Sequence, residues 1–358
     1  MCHFRVPELN GDGRAYMLRG LREKPHGSVP ESDMGMEMAK TGVAASPRSL
    51  GEALPLSLSD YATIMGHPGV QTTRHQRTKV NAGMVEGWIG GPLNRQWSAF
   101  VLPVFDIDAG TFEVEQAYGQ WITDWSGRFG SVRFGQFLPL AILLHQGGPA
   151  MPLSAPLILS VSTAEDIWAP STALHGIEMG AVDLEMGNAF VGVVQPQAEG
   201  GGTTGQTDFF VSTEYFIGEE GDAVSGLGYI GALPSSHGEP SVDYERIAVF
   251  ADVYPPRMKG GVGFLWGRDK PEEGRSLDSS GGFILVEALP SQRWAAYGRY
   301  DYFTQEVLIG DDVTMNGPAA GISFWAHTQV RLTIEAQFLK TTGEARDRAG
   351  TAELLWAF

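Results

Sequence analysis

The chain has 358 residues, 47 of them glycine and 21 proline, and that much backbone punctuation excludes a predominantly helical protein. Its formal net charge of -17 excludes a nucleic-acid partner, because no basic stripe is offered to phosphates. Mean hydropathy is -0.10, and no uninterrupted apolar run reaches the ~18 residues of a spanning helix, which leaves open a membrane β-barrel, where alternate strand residues alone face lipid.

Residues 1–54 read as an amino-terminal segment with a linker, ahead of a β-rich domain at 55–358. Phrases such as Lys24-Pro25-His26-Gly27 and Ala44-Ala45-Ser46-Pro47 break any periodicity there, apart from a short helix expected around Gly13 to Arg22. Cys2 is the single cysteine, so neither an internal disulfide nor an all-cysteine metal site can form. No secretory signal peptide is recognisable at the start.

From about Ser57 the pattern changes to period two. Strands are expected near 57–67, 80–90, 97–106, 111–123, 129–137, 173–183, 188–195, 207–217, 223–233, 243–253, 258–267, 278–288, 292–304, 317–326, 329–340 and 348–358, about sixteen in all. Alternation is clear in 330–338, where Val330, Leu332, Ile334, Ala336 and Phe338 share one face and Arg331, Thr333, Glu335 and Gln337 the other. It is less clean in 111–124, where Gln116 and Gln120 fall on the otherwise apolar face.

The connections alternate in length. Pro92–Gln96, Trp125–Arg128, Leu184–Gly187, Gly218–Asp222, Tyr254–Arg257, Leu289–Ser291 and His327–Thr328 are short, whereas Leu138–Thr172, Pro196–Gln206, Pro234–Ser241, Arg268–Ser276, Gln305–Asn316 and Thr341–Asp347 are longer. The short Ile107–Gly110 is the exception. Short turns on one side and long loops on the other predict an all-β, antiparallel, up-and-down transmembrane barrel with both termini on the short-turn, periplasmic side. The proline-broken stretch 138–172 is expected as a long loop at the opposite rim from the termini. Glu113, Glu115, Arg133, Glu214, Arg299, Asp301, Arg331 and Glu335 are expected to face the lumen, either as plain solvation of an interior or as an acidic lining that favours cations.

In the last strand Ala352, Leu354, Trp356 and Phe358 share a face, and the chain ends on the aromatic. This resembles the carboxy-terminal recognition strand of bacterial outer-membrane proteins. The segment Val132-Arg133-Phe134-Gly135-Gln136-Phe137 with Pro139 is similar to a strand-and-rim phrase of porin-like barrels.

At the other end, Cys2-His3-Phe4-Arg5-Val6-Pro7-Glu8-Leu9-Asn10, followed by Gly13, Tyr16 and Gly20, resembles the start of outer-membrane barrel proteins that carry a c-type haem motif, C-x-x-C-H, before Pro-x-Leu-Asn. The resemblance covers about the first twenty residues. It implies a porin–cytochrome type of electron-transfer component, with haem c as cofactor, Cys2 in a thioether and His3 as the proximal iron ligand. The departure is that only Cys-His of the motif is present, with Met1 where the second x would fall, so the expectation is a natural chain extending upstream through a first cysteine and a signal peptide. Met34, Met36, Met38 or His26 would supply a distal ligand. The alternating methionines also suit soft Cu(I), against their ordinary reading as linker filler.

The remaining histidines are scattered, with no His-Glu-x-x-His, and neither G-x-S-x-G nor a phosphate-binding glycine loop occurs, so no enzyme is expected. The sequence thus predicts a barrel in the bacterial outer membrane with lipid as its surroundings. Its function is either electron transfer, with its own haem or as a sheath for a partner multihaem cytochrome, or diffusion of small polar solutes or ions.

Overall fold

The computed structural model describes residues 3–5 and 8–9 and, from Ala62 to Ala357, the strands with part of their connections. The longest stretches outside that description are 10–61, 140–152, 161–172, 196–205 and 234–240. Two short strands, β1 (His3–Arg5) and β2 (Glu8–Leu9), pair antiparallel with His3 opposite Leu9.

All other strands form one closed antiparallel barrel. In chain order these are β3 (Ala62–Gly66), β4 (Gly69–Thr73), β5 (Lys79–Asn81), β6 (Met84–Pro92), β7 (Trp97–Asp106) and β8 (Thr111–Trp125). Then come β9 (Arg128–Phe137), β10 (Leu174–Asp183), β11 (Gly187–Gln195), β12 (Asp208–Ile217), β13 (Asp222–Leu233) and β14 (Val242–Val253). The circuit ends with β15 (Met258–Pro271), β16 (Leu277–Ser291), β17 (Trp294–Gln305), β18 (Val313–His327), β19 (Val330–Thr341) and β20 (Asp347–Ala357). From β6 onward each strand pairs with the next in sequence, β4 pairs with β5 and β3 with β6, and β20 closes the ring on β3 and β4.

Register shows that β3 and β4 are one stave. Gly66 lies opposite Trp356 and Gly69 opposite Glu353, so the register against β20 is the same in β3 and in β4. β5 and β6 likewise continue each other beside that stave. The described residues therefore build sixteen staves, the number expected from the sequence. Ala62 and Ala357 lie at the rim where the turns are short, and the longer connections leave the other rim.

The strands form because branched and aromatic residues alternate with small or polar ones. Outward positions carry Val191, Val193, Val211, Ile247, Val249, Phe264, Ile284 and Ile334, all exposed. Trp97, Tyr215 and Trp294 ring this surface towards the short turns, and Phe105, Phe112, Phe209 and Tyr302 towards the long loops. A ten-residue strand such as β12, tilted by about 40°, spans about 25 Å, the height of a lipid-facing band with aromatic girdles. No described helix is long and apolar enough to cross a membrane, which does not bear on crossing by strands.

The blurred alternation of 111–124 has a physical cause. Leu102 pairs with Gln116 but Pro103 with Val114, so Glu115 is the extra residue of a β-bulge. The bulge switches the facing of β8: Phe112 points outward, whereas Gln116, Tyr118, Gln120 and Ile122 are buried on the inside. Glu113, opposite the inward Val104, is exposed, and so is Glu115. Arg133, Glu214, Arg299, Asp301, Arg331 and Glu335 all lie buried on the inner face, as expected.

Candidate functional site: a segment folded into the lumen

The connection after β9 does not stay at the rim. Its described part, Leu153 to Ser160, lies inside the barrel against the inner wall and ends in one helical turn, α1 (Leu157–Ser160). Leu157, Ile158 and Leu159 are buried in a cluster with the inward Leu265 and Phe303, with Phe283 packed against it. An apolar Leu-Ile-Leu run cannot remain at a wet rim without cost, and the inner wall gives it cover. The wall makes room for it: a β-carbon built on Gly281 of β16 would stand 3.0 Å from Ile158 Cγ2.

Polar anchors hold the segment in place. Glu335 on β19 accepts the backbone N–H of Leu153 at 2.9 Å and of Ser154 at 3.1 Å, and the Tyr297 hydroxyl donates to it at 2.7 Å. Arg299 on β17 donates to the Ser154 carbonyl, to Ser154 Oγ at 3.0 Å and to the Ala155 carbonyl at 3.1 Å. Asp301 pairs with Arg299 Nε at 2.8 Å and accepts from Leu157 N at 3.4 Å. Loop backbone groups that would otherwise be buried without water thus find charged partners on two staves, β17 and β19.

Beside its apolar residues the rest of the inner wall carries further buried polar groups. Arg133 and Glu178 form an ion pair at 2.6 Å, Arg133 donates to the Leu138 carbonyl at 2.9 Å, and its guanidinium lies over the rings of Tyr118 and Phe137. Arg246 pairs with Asp269, and Arg331 approaches Glu353 at 3.7 Å. Asp208 accepts hydrogen bonds from the hydroxyls of Tyr229 at 2.5 Å and Tyr244 at 2.6 Å, two rings that stack. Among the described residues, the fully inward charges comprise the carboxylates Glu178, Asp208, Glu214, Asp252, Asp269, Glu287, Asp301 and Glu335 against the guanidinia of Arg133, Arg246, Arg299 and Arg331. Among these described buried charges, carboxylates therefore outnumber guanidinia.

Of the haem and metal candidates, Cys2, His26, Met34, Met36 and Met38 lie outside the described residues, and His3 is described only by its backbone ladder to Leu9. The donor set present does not fit a two-thioether attachment, because the chain contains one cysteine. The in-folded segment, by contrast, was missed from the sequence. The signal available was the buried-type run Leu157-Ile158-Leu159 within a stretch otherwise full of proline and glycine.

No known family pattern matches this sequence, and no curated protein does. Solved structures match the fold. OmpT, an outer membrane protein of Vibrio cholerae folded in vitro, in its trimer form, superposes with a TM-score of 0.64 at 11% identity, over 83% of this chain and 98% of that one. An anion-selective porin from Comamonas acidovorans gives 0.63 at 14% identity, over 83% and 99%. The outer membrane channel DcaP of Acinetobacter baumannii gives 0.59 at 10% identity, over 83% and 96%. The chain has the porin-like barrel fold of outer-membrane proteins.

Proposed function

We propose that the protein is a constricted, cation-preferring porin-like channel of a bacterial outer membrane, with its short turns and both chain ends on the periplasmic side. The observation that carries this reading is the segment Leu153 to Ser160, fastened inside the bore by Glu335, Arg299 and Asp301. A barrel of this strand number is wide enough for water, and a segment drawn into it narrows the path. The outward apolar band with aromatic girdles supports lipid as its surroundings, and the surplus of carboxylates among the described inward charges supports passage of cations over anions.

Planar-bilayer recordings on the refolded protein test this. Small conductance steps with a cation preference that weakens as salt is added are expected. Absence of conductance, or anion preference, overturns the reading. Accessibility of residues in the short turns to a membrane-impermeant label on whole cells tests the orientation, with labelling expected only after the outer membrane is opened.

The electron-transfer reading rests on the Cys2-His3 phrase. A sheath around a multihaem cytochrome needs an open bore, and the buried inner faces of β8 to β19 favour a narrow channel instead. Covalent haem on a denaturing gel, after expression with a c-type maturation system, would revive the redox role.

A further inference from the structure

We propose that a groove on the outer wall, running along β13 towards the long loops, binds one membrane lipid whose head carries both a phosphate and an ammonium. Its acyl chain lies over Gly228. The inference rests on the barrel being set in lipid, and not on whether it conducts.

Three outward rows build the groove. Nearest the long loops, Ala232 lies opposite Asp243, and Asp243 opposite Lys270. In the next row Phe209, Ile230, Glu245 and Arg268 stand side by side on β12 to β15. In the third, Val211, Gly228, Ile247 and Trp266 do the same. Val211 and Ile247 are exposed, and a β-carbon built on Gly228 between them would meet nothing within 4 Å. The wall therefore dips over β13, between two flanking backbones that stand roughly 10 Å apart. The dip holds a hollow of about 270 Å³ beside Gly228 and one of about 310 Å³ beside Ala232 and Lys270. The two hollows meet at Phe209, Ile230 and Glu245.

Polarity runs along this groove in one direction. The Lys270 ammonium pairs with Glu245 at 3.2 Å, and Arg268 pairs with Asp278 at 2.7 Å, with its guanidinium over the Trp266 ring. Both pairs are partly exposed on the outer wall. Charge on a lipid-facing wall is tolerated near the interface and is costly deeper in the bilayer. The head-group layer thus reaches down to Glu245, and hydrocarbon begins at the row of Gly228. An amphiphile with its head among the charges and its chain over Gly228 matches both ends of the groove.

The charges also select the head. An ammonium carries three donors and a guanidinium five, so Lys270 and Arg268 each keep donors for a phosphate beyond the carboxylate they already hold. Asp243, Glu245 and Asp278 outnumber those two cations on the outward rows. A head with phosphate alone meets their repulsion. A head that also brings an ammonium offers them a partner.

The test is native mass spectrometry of the refolded protein, released from detergent after incubation with phosphatidylethanolamine or phosphatidylglycerol of identical acyl chains. One ethanolamine lipid should be retained, several-fold in preference to the glycerol lipid. Gly228→Leu fills the groove and should abolish retention. Gly298→Leu, at another exposed outward glycine whose β-carbon also meets open space, should keep it. Asp243→Asn should shrink the preference between the two lipids. Equal retention of both lipids by the native chain would overturn the choice of head, and undiminished retention in Gly228→Leu would overturn the groove. Lipid-free oligomers that Gly228→Leu dissociates would assign it to a second copy of the chain instead. A chain that retains the lipid and passes no current keeps the site and loses the channel, and a conducting chain that retains no lipid does the reverse.

Discussion

Glu335 accepts the backbone N–H of Leu153 at 2.9 Å across a separation of 182 residues, tying the loop after β9 to the inner face of β19. It turns a connection that could have stayed at the rim into part of the lumen wall.

The strength of that tie is measurable. Glu335→Gln replaces one acceptor oxygen by a donor facing the N–H groups of Leu153 and Ser154, so at least one charge-assisted hydrogen bond is lost. The expected destabilisation is about 1.5–3 kcal/mol, with about 1 kcal/mol for Tyr297→Phe. Urea unfolding of the single and double variants should show coupling between the two, because both changes act on the same carboxylate.

Gly281 provides the space into which α1 docks. A β-carbon there would meet Tyr302 O at 2.5 Å, Phe303 Cδ2 at 2.8 Å and Ile158 Cγ2 at 3.0 Å. The backbone oxygen has little freedom to move, so Gly281→Ala should push the helical turn off the wall and cost about 1–3 kcal/mol. Proteolysis between residues 153 and 160 should become faster while the barrel stays folded. Unchanged proteolysis would mean that the turn does not depend on this contact.

Most of the barrel was legible in the sequence because a half-buried strand records its two faces separately. The stretch 330–338 is an example: the residues read as one face, from Val330 to Phe338, point outward, and Arg331, Thr333 and Glu335 are buried inside. Three features were hidden. The bulge at Glu115 shifts the phase of β8, so a single alternation could not fit both of its halves. Gly317-Pro318 looked like the start of a strand, yet β18 runs through it from Val313, since a proline is tolerated where no donor is needed. The inward fold of Leu153 to Ser160 depends on partners more than a hundred residues away, which local pattern does not encode. The charges that anchor it, Arg299, Asp301 and Glu335, were read correctly as inward, but as a wetted lining rather than as fasteners.

The Arg133–Glu178 pair is nearly free of solvent on both sides. Removing one member leaves an uncompensated buried charge, so Glu178→Gln should cost about 3–5 kcal/mol. Arg133→Met with Glu178→Leu should recover most of that loss, since a buried ion pair is often worth no more than apolar residues of similar volume. The shift in heat-modified migration on a gel reports both. A double variant as unstable as the single one would show that the Leu138 carbonyl contact, and not the ion pair, dominates.

The most direct test of the account is single-channel conductance of the native chain beside the double variant Glu335→Gln/Arg299→Ala, in a potassium chloride gradient. If the segment from Leu153 to Ser160 narrows an acidic path, the native chain gives small, cation-preferring steps. The double variant, with its segment released, gives larger and noisier ones. Equal conductance in the two, or a native current carried by chloride, would contradict it.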